Sequence, residues 1–465
     1  MAIKGRLSLY RAFFGEAVRH RNVLRLILAA TAATASLGRP LYGQAQPKEQ
    51  FVPANSYWGG PYAAAGSAMA AGMLDYLRML NERDGGIHGV KFTWAKCDTE
   101  YDSGRGIECY ERAKAHPPTG ATLVHPLSTA ITYSLIERAS ADRIPLVSIG
   151  YGRSDSADGR IFPYAFPLIT TLWDQAAAMV RYLGERSGGM EKLRGKHIAL
   201  LYQDSAYGKE AIPVLTELAG RYGYQLSTLA VGLPGEEQSA QWQRIREIGP
   251  DWIIVWGWGA MNPAALANAA RAGFPRNRML GAWWSGAEND VLPAGSAAQG
   301  FVTAAFNVPG SAFPVIRDIR RFVYADGGGE LGNPSRIGSV YYNRGVVYGI
   351  VTAEAVKLAQ EQFGVGKPVT GEQARWGLEH LRIDAARLAA LVASGLMPPL
   401  QTSCADHEGS GLVRFLRWDG KRWESVTDWM APLADDRATV QKMTAESAAA
   451  YAKGKGISLR RCQEG

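Results

Sequence analysis

The stretch Asp251 to Glu288 reads DWIIVWGWGAMNPAALANAARAGFPRNRMLGAWWSGAE, and five of its residues are tryptophans. Trp252 to Trp256 is an apolar run of buried-strand length, and Met279 to Trp283 reads as a second strand. Between them lies a turn at Gly257-Trp258-Gly259. Asn262 reads as the cap of a helix over Ala264 to Ala272, with Pro263 at its first position and Gly273 at its end. In open α/β sheets ligands bind outside the carboxyl ends of the strands. Trp256, Trp258, Trp283 and Trp284 therefore fall where a ligand would stack on their rings, or a cation would sit over a ring face. The competing role for each is plain core packing, the usual fate of a tryptophan.

Catalytic chemistry has less support. The chain carries no G-x-S-x-G elbow, no H-E-x-x-H and no P-loop, and Gly327-Gly328-Gly329 follows no clear strand. Of seven histidines only His125 is expected at a strand-end loop, where a lone histidine is more often a hydrogen-bonded structural residue. The sequence thus points to binding without turnover and without a cofactor. Cys404-Ala-Asp-His-Glu could be read as metal ligands, but a single such cluster is a weak signal, and the cysteines have another use. Their even count favours disulfides in an exported chain. Cys97 with Cys109 and Cys404 with Cys462 are the expected pairs, the second pinning the C-terminal tail.

Export is expected from the first 45 residues. They hold seven basic residues and one acid, an apolar run from about Leu26 to Leu37, and Gly43-Gln44-Ala45 as a cleavage site. The run is too short to span a bilayer comfortably; the alternative is an uncleaved anchor or a mis-set start. The formal charge of +8 lies mostly in this segment, and the rest of the chain has 44 basic against 42 acidic residues. So balanced a body argues against a nucleic-acid groove.

Several elements must position these residues. The remaining 420 or so residues suit two lobes of alternating strands and helices, each with a parallel sheet. After a linker at Gln46 to Gln50 and a turn at Tyr57 to Tyr62, a helix runs over about Ala63 to Asp84. Strands come next at Val90 to Lys96, Ala121 to Val124 and Ile144 to Ile149, with helices at Asp102 to Ala115 and Ala130 to Asp142. Their strand-end loops carry Ser128-Thr129 and Gly150-Tyr151-Gly152. The plan repeats with a helix from Leu172, a strand over His197 to Tyr202, a loop containing Tyr207, and a strand over Gln225 to Val231. Phe162 to Pro167 and Phe301 to Phe306 read as crossings between lobes. Val340 to Gln362 reads as a helix, as does Thr370 to about Ala393. Asp419-Gly420 marks a hairpin, and a last helix lies beyond Thr439.

Taken together, the Gly60-Pro61-Tyr62 turn, Asn81 to Lys91, Cys97-Asp98-Thr99, Ser128-Thr129, Ile144 to Ser148, Asp204 to Gly208 and Ala269 to Phe274 resemble one family. These segments cover about Phe51 to Ala393. The chain resembles the type I periplasmic solute-binding proteins of ABC transporters, of the leucine/isoleucine/valine-binding class. The resemblance implies two Rossmann-like lobes, joined by three crossings, that close on a small ligand. It assigns 46–165 plus about 300–395 to lobe one, and 166–299 plus about 396–465 to lobe two and a C-terminal extension. It implies a periplasmic monomer, no enzyme, working with a permease and an ATPase. By the same resemblance, Ser128, Thr129 and the backbone of Gly150, Tyr151 and Gly152 hold a ligand carboxylate, and Tyr207 and Trp258 face it from lobe two. Ser128 is equally suited to cap a helix. Where amino-acid binders of the family hold the ammonium with an acid, this chain has Trp283-Trp284, and the nearest acid is Glu288. Where the family often has a tyrosine stands Ala65, and Trp58 is placed to fill the space. An aromatic or amide-type carboxylate therefore suits the site better than an aliphatic amino acid, unless Glu288 swings in. A sensor of short amides or urea, reporting to a regulator, is the alternative use of the same fold.

Overall fold

The computed structural model describes residues 48–325 and 327–462, which belong to one compact unit, Pro47–Gly465. The expected signal segment lies outside the described residues. The first lobe is a parallel sheet with helices on its faces. Glu49–Phe51 pairs with Lys91–Thr93, and Ala54–Ser56 pairs with Lys96–Asp98. Thr122 donates its backbone N–H to Phe51, Val124 bridges Leu146, and Leu146–Val147 pairs with Ala165–Phe166. The supposed linker thus enters the sheet. Its buried Gln50 exchanges two hydrogen bonds with the backbone of Val369, at 2.8 and 2.9 Å, a partner more than 300 residues away that no local pattern reveals.

The helix Ala63–Asp84 lies along Val340–Phe363. Gly72 and Gly345 let them meet backbone to backbone, since a Cβ on either would collide with a carbonyl of the other helix.

The second lobe is a seven-stranded sheet. In spatial order its strands are Trp423–Ser425, Arg414–Trp418, Val302–Ala305, Met279–Gly281, Trp252–Trp256, His197–Gln203 and Gln225–Val231. The last five are mutually parallel, and the C-terminal hairpin adds two antiparallel strands. Three expectations change here. Val302–Ala305 is a strand before it is a crossing. The strand at Met279 stops at Gly281, and Trp283–Ser285 is a short 3-10 turn. The region 370–393 is two helices, Gly371–Glu379 and Ala385–Ala390, because Arg382–Ile383 pairs with Leu400–Gln401 and buries Leu381 and Ile383.

Both expected disulfides are present, Cys97–Cys109 and Cys404–Cys462. The last helix, Ala434–Lys455, touches both lobes. Asp436 accepts from Arg221 at 2.7 Å near its start. Towards its end Ser447 donates to Asp155, and Tyr451 stacks on Phe162.

Candidate functional site

The carboxyl ends of the two sheets face each other, and the loops beyond the strands meet there. Ser128 caps the helix Thr129–Asp142, its Oγ accepting from the N–H of Ile131 at 3.4 Å. Thr129 Oγ1 accepts the Gly152 N–H at 3.0 Å, which ties the two expected anion-binding loops together. Gly150 adopts φ +78°, and a Cβ there would stand 2.7 Å from Phe306. The residue must therefore be glycine, and its carbonyl is turned towards the second lobe.

Two indoles meet that carbonyl. Trp283 Nε1 donates to Gly150 O at 3.0 Å and Trp284 Nε1 donates to the same oxygen at 2.7 Å. Trp284 also lies 4.5 Å from the Tyr151 ring, whose hydroxyl is 3.1 Å from that of Tyr57. The 3-10 turn allows this geometry: it sets consecutive side chains about 120° apart, where a strand would send them to opposite faces. Trp258 packs at 5.3 Å on Tyr62 and edge-on at 5.0 Å to Trp284. Tyr207 donates to the Gly257 carbonyl at 3.4 Å and lies beside Trp256. Glu210 adds a polar contact. Its buried carboxylate accepts from the Ser154 hydroxyl at 2.7 Å and from Tyr133, and burial raises its pKa.

Glu288 and Trp58 make no part of the indole contact with Gly150, although Glu288 lines the cavity beside it. The Glu288 carboxylate accepts the N–H of Val340 at 3.0 Å, at the start of the helix Val340–Phe363, and burial raises its pKa. A carboxylate at a helix N-terminus is favourably placed. Trp58 is half-buried at the lobe-one edge, its N–H bound to Asp98 and its ring 6.0 Å from Lys96 Nζ. Asn262 does not cap its helix, whose N-cap position is held by Ala260 without a side-chain bond; Asn262 donates instead to Trp284 O and Asp290 Oδ1, both at 2.9 Å. His125 is buried, bonded to Thr352 and the Val147 carbonyl, and burial pushes its pKa down to about 4. His407 stacks on Phe166 and bonds the Ala165 carbonyl, with Nε2 3.4 Å from Glu379.

Beside the aromatic contacts opens a cavity of 1120 Å³. Tyr62, Trp258 and Tyr341 line its inner wall, Glu288 and Asp290 one flank, and Trp423 of the C-terminal hairpin another. Asp290 is buried. It accepts from Asn262, from the Ala287 N–H and from Tyr341, and burial raises its pKa to about 7 against the pull of these donors.

Tyr57, Tyr62, Asp290, Tyr341 and Arg344 were not expected from the sequence. For Arg344 a signal existed: it is the one charged residue in the otherwise apolar start of a helix, VYYNRGVVYGIV. The three tyrosines and Asp290 had none, since nothing in their local sequence sets them apart.

A family model described as periplasmic binding protein matches residues 51–422. Among solved structures, one titled as an ABC transporter permease from the Pseudomonas fluorescens group is 43% identical over 90% of this chain and 100% of its own, with a TM-score of 0.84. A branched chain amino acid ABC transporter from Thermus thermophilus with bound valine is 21% identical, over 84% and 98% of the two chains, with a TM-score of 0.70. A solute binding protein from R. palustris in complex with benzoate is 15% identical, over 83% and 96%, with a TM-score of 0.61. These last two share the fold alone. No curated protein matches in sequence. The chain belongs to the periplasmic binding protein family, with the type I fold of ABC transporter substrate-binding proteins.

Proposed function

We propose that this protein captures one small carboxylate of aromatic or amide type between its lobes, as an exported periplasmic monomer, and delivers it to an ABC importer. The observation that carries the ligand class is the fate of the two acids nearest Trp283-Trp284. Glu288 is bonded to Val340, and Asp290 is bonded to Asn262, Ala287 and Tyr341. Both carboxylates thus already hold protein donors, and an ammonium buried unpaired is costly. The surroundings are instead rich in donors and rings: Trp256 Nε1 and Trp258 Nε1 are buried without an acceptor. A carboxylate on an aromatic body matches that inventory. We assign Ser128, Thr129 and the 150–152 loop to lobe one's side of the ligand, and Tyr207, Trp258, Trp283 and Trp284 to lobe two's.

The test is a thermal-shift screen of the purified protein against aromatic carboxylates, their amides, urea and aliphatic amino acids. Ligands that bind only the folded state raise the melting temperature by mass action. Shifts with aromatic carboxylates support the reading, and shifts confined to leucine-like amino acids would refute it. Shifts confined to short amides or urea would favour a sensor.

A further inference from the structure

Arg344 is the only buried lysine or arginine among the described residues, and it is 0% exposed. Its guanidinium faces are covered by rings: Trp284 at 4.3 Å, Phe306 at 4.4 Å and Tyr341 at 5.4 Å. Its edge is only partly used. Nε donates to Asn307 Oδ1 at 3.0 Å and Nη2 donates to Trp283 O at 3.1 Å, while Nη1 has no partner. No carboxylate forms an ion pair with it among the described residues.

The placement is specific. Arg344 projects from the helix Val340–Phe363, which packs on lobe one. It holds Trp283, Trp284 and the residues just after the strand Val302–Ala305, all from the second sheet's side. The same two tryptophans donate to Gly150. The guanidinium thus stands directly behind the contact that joins the lobes. A buried charge without an ion-pair partner is costly, and burial lowers its pKa although the neighbouring tyrosines and Asp290 pull the other way. The two hydrogen bonds and the stacked rings engage only part of the group, and Nη1 is left over. The cost is recovered if an anion completes the edge.

We propose that Arg344 is the anion anchor of the site, its unpartnered Nη1 edge taking an oxygen of the ligand's carboxylate when the lobes close. This rests on the carboxylate reading above. It adds that the guanidinium, more than the Ser128 loop, sets the preference for a carboxylate over its neutral amide. Guanidinium-to-carboxylate hydrogen bonds are charge-assisted and among the stronger ones in proteins.

The experiment compares wild type, Arg344→Met and Arg344→Lys as full chains. Calorimetric titrations use benzoate and phenylacetate, with benzamide and phenylacetamide as neutral isosteres, and leucine with leucinamide. Each ligand-free variant is also melted. Wild type should prefer the carboxylate of a pair by at least about tenfold. Arg344→Met should lose that preference and keep amide affinity, with ligand-free melting lowered by the two buried hydrogen bonds it no longer makes. Arg344→Lys, which keeps the charge but not the fork, should fall between. An Arg344→Met protein with the full preference overturns the anchor while leaving the carboxylate reading intact. If Arg344→Met is too unstable to titrate, Arg344→Lys decides, and an undiminished preference there overturns the anchor. If wild type binds leucine and none of the aromatic probes, the ligand class is wrong, and the leucine and leucinamide pair then judges the anchor by the same criterion. A wild type that binds no carboxylate overturns it outright.

Discussion

Replacing Trp283 and Trp284 with phenylalanine, singly and together, tests how the lobes are held closed. Each substitution keeps an aromatic ring, removes one N–H and shrinks a buried side chain, and both N–H groups donate to the same oxygen, Gly150 O. A typical hydrogen bond contributes about 1 kcal/mol net. Either single variant leaves the carbonyl one donor, so affinity should fall about fivefold. The double variant loses both bonds and strands a buried carbonyl, which adds about 1 kcal/mol or more. The total is about 3 kcal/mol, or roughly 150-fold, and the double loss exceeds the sum of the singles. Because the contact joins the lobes, the loss falls on the closed state and lowers apparent affinity through the closed fraction. Calorimetric titration with the best ligand of the thermal screen gives the double-mutant cycle, and melting without ligand gives the control. Simple additivity, or an equal loss of stability without ligand, would refute the shared-acceptor clasp.

Other expectations concern charge and the tail. Glu379 is 2% exposed; burial works to raise its pKa, but His407, Arg460 and Arg375 outweigh that and hold it at about 2. Against an unfolded value of 4.5, this contributes about 3 kcal/mol above pH 4.5 that is lost as pH falls through 2. Urea unfolding of Glu379→Gln between pH 2.5 and 6 should show a flatter acid limb than wild type. Asp290 has the opposite sign. Its folded pKa of about 7 lies above the unfolded 3.8, so its contribution falls as pH rises between these values. Asp290→Asn should therefore raise stability at pH 8 relative to pH 5, compared with wild type in the same melting series. Removing the Cys404–Cys462 bridge, whose cysteines are 58 residues apart, should cost about 4 kcal/mol by loop entropy, read from chemical unfolding of the double serine variant.

The alternating strands and helices were legible because buried parallel strands and amphipathic helices write their periods locally. Trp252–Trp256 and Gln225–Val231 have the expected bounds. The failures share one cause. The strand at Glu49–Phe51 depends on Lys91–Thr93, the break after Glu379 depends on Leu400–Gln401, and the turn at Trp283 depends on Gly150. Each choice is made by a distant partner. The candidate site shows the same division. Loop tryptophans stood out by type and spacing, whereas Glu288 looked like a free acid because the helix end that binds it lies 52 residues away. Arg344 was visible only as a charge in an apolar helix face, and only the packed structure surrounds it with rings.

The most direct test of the proposed ligand class is calorimetric titration of the purified protein with benzoate and, separately, with leucine. An aromatic-carboxylate site predicts saturable one-to-one binding of benzoate, with a negative heat-capacity change from apolar burial, and far weaker binding of leucine. Tight binding of leucine with no heat from benzoate would contradict it, and would mean that an acid frees itself to meet the ammonium.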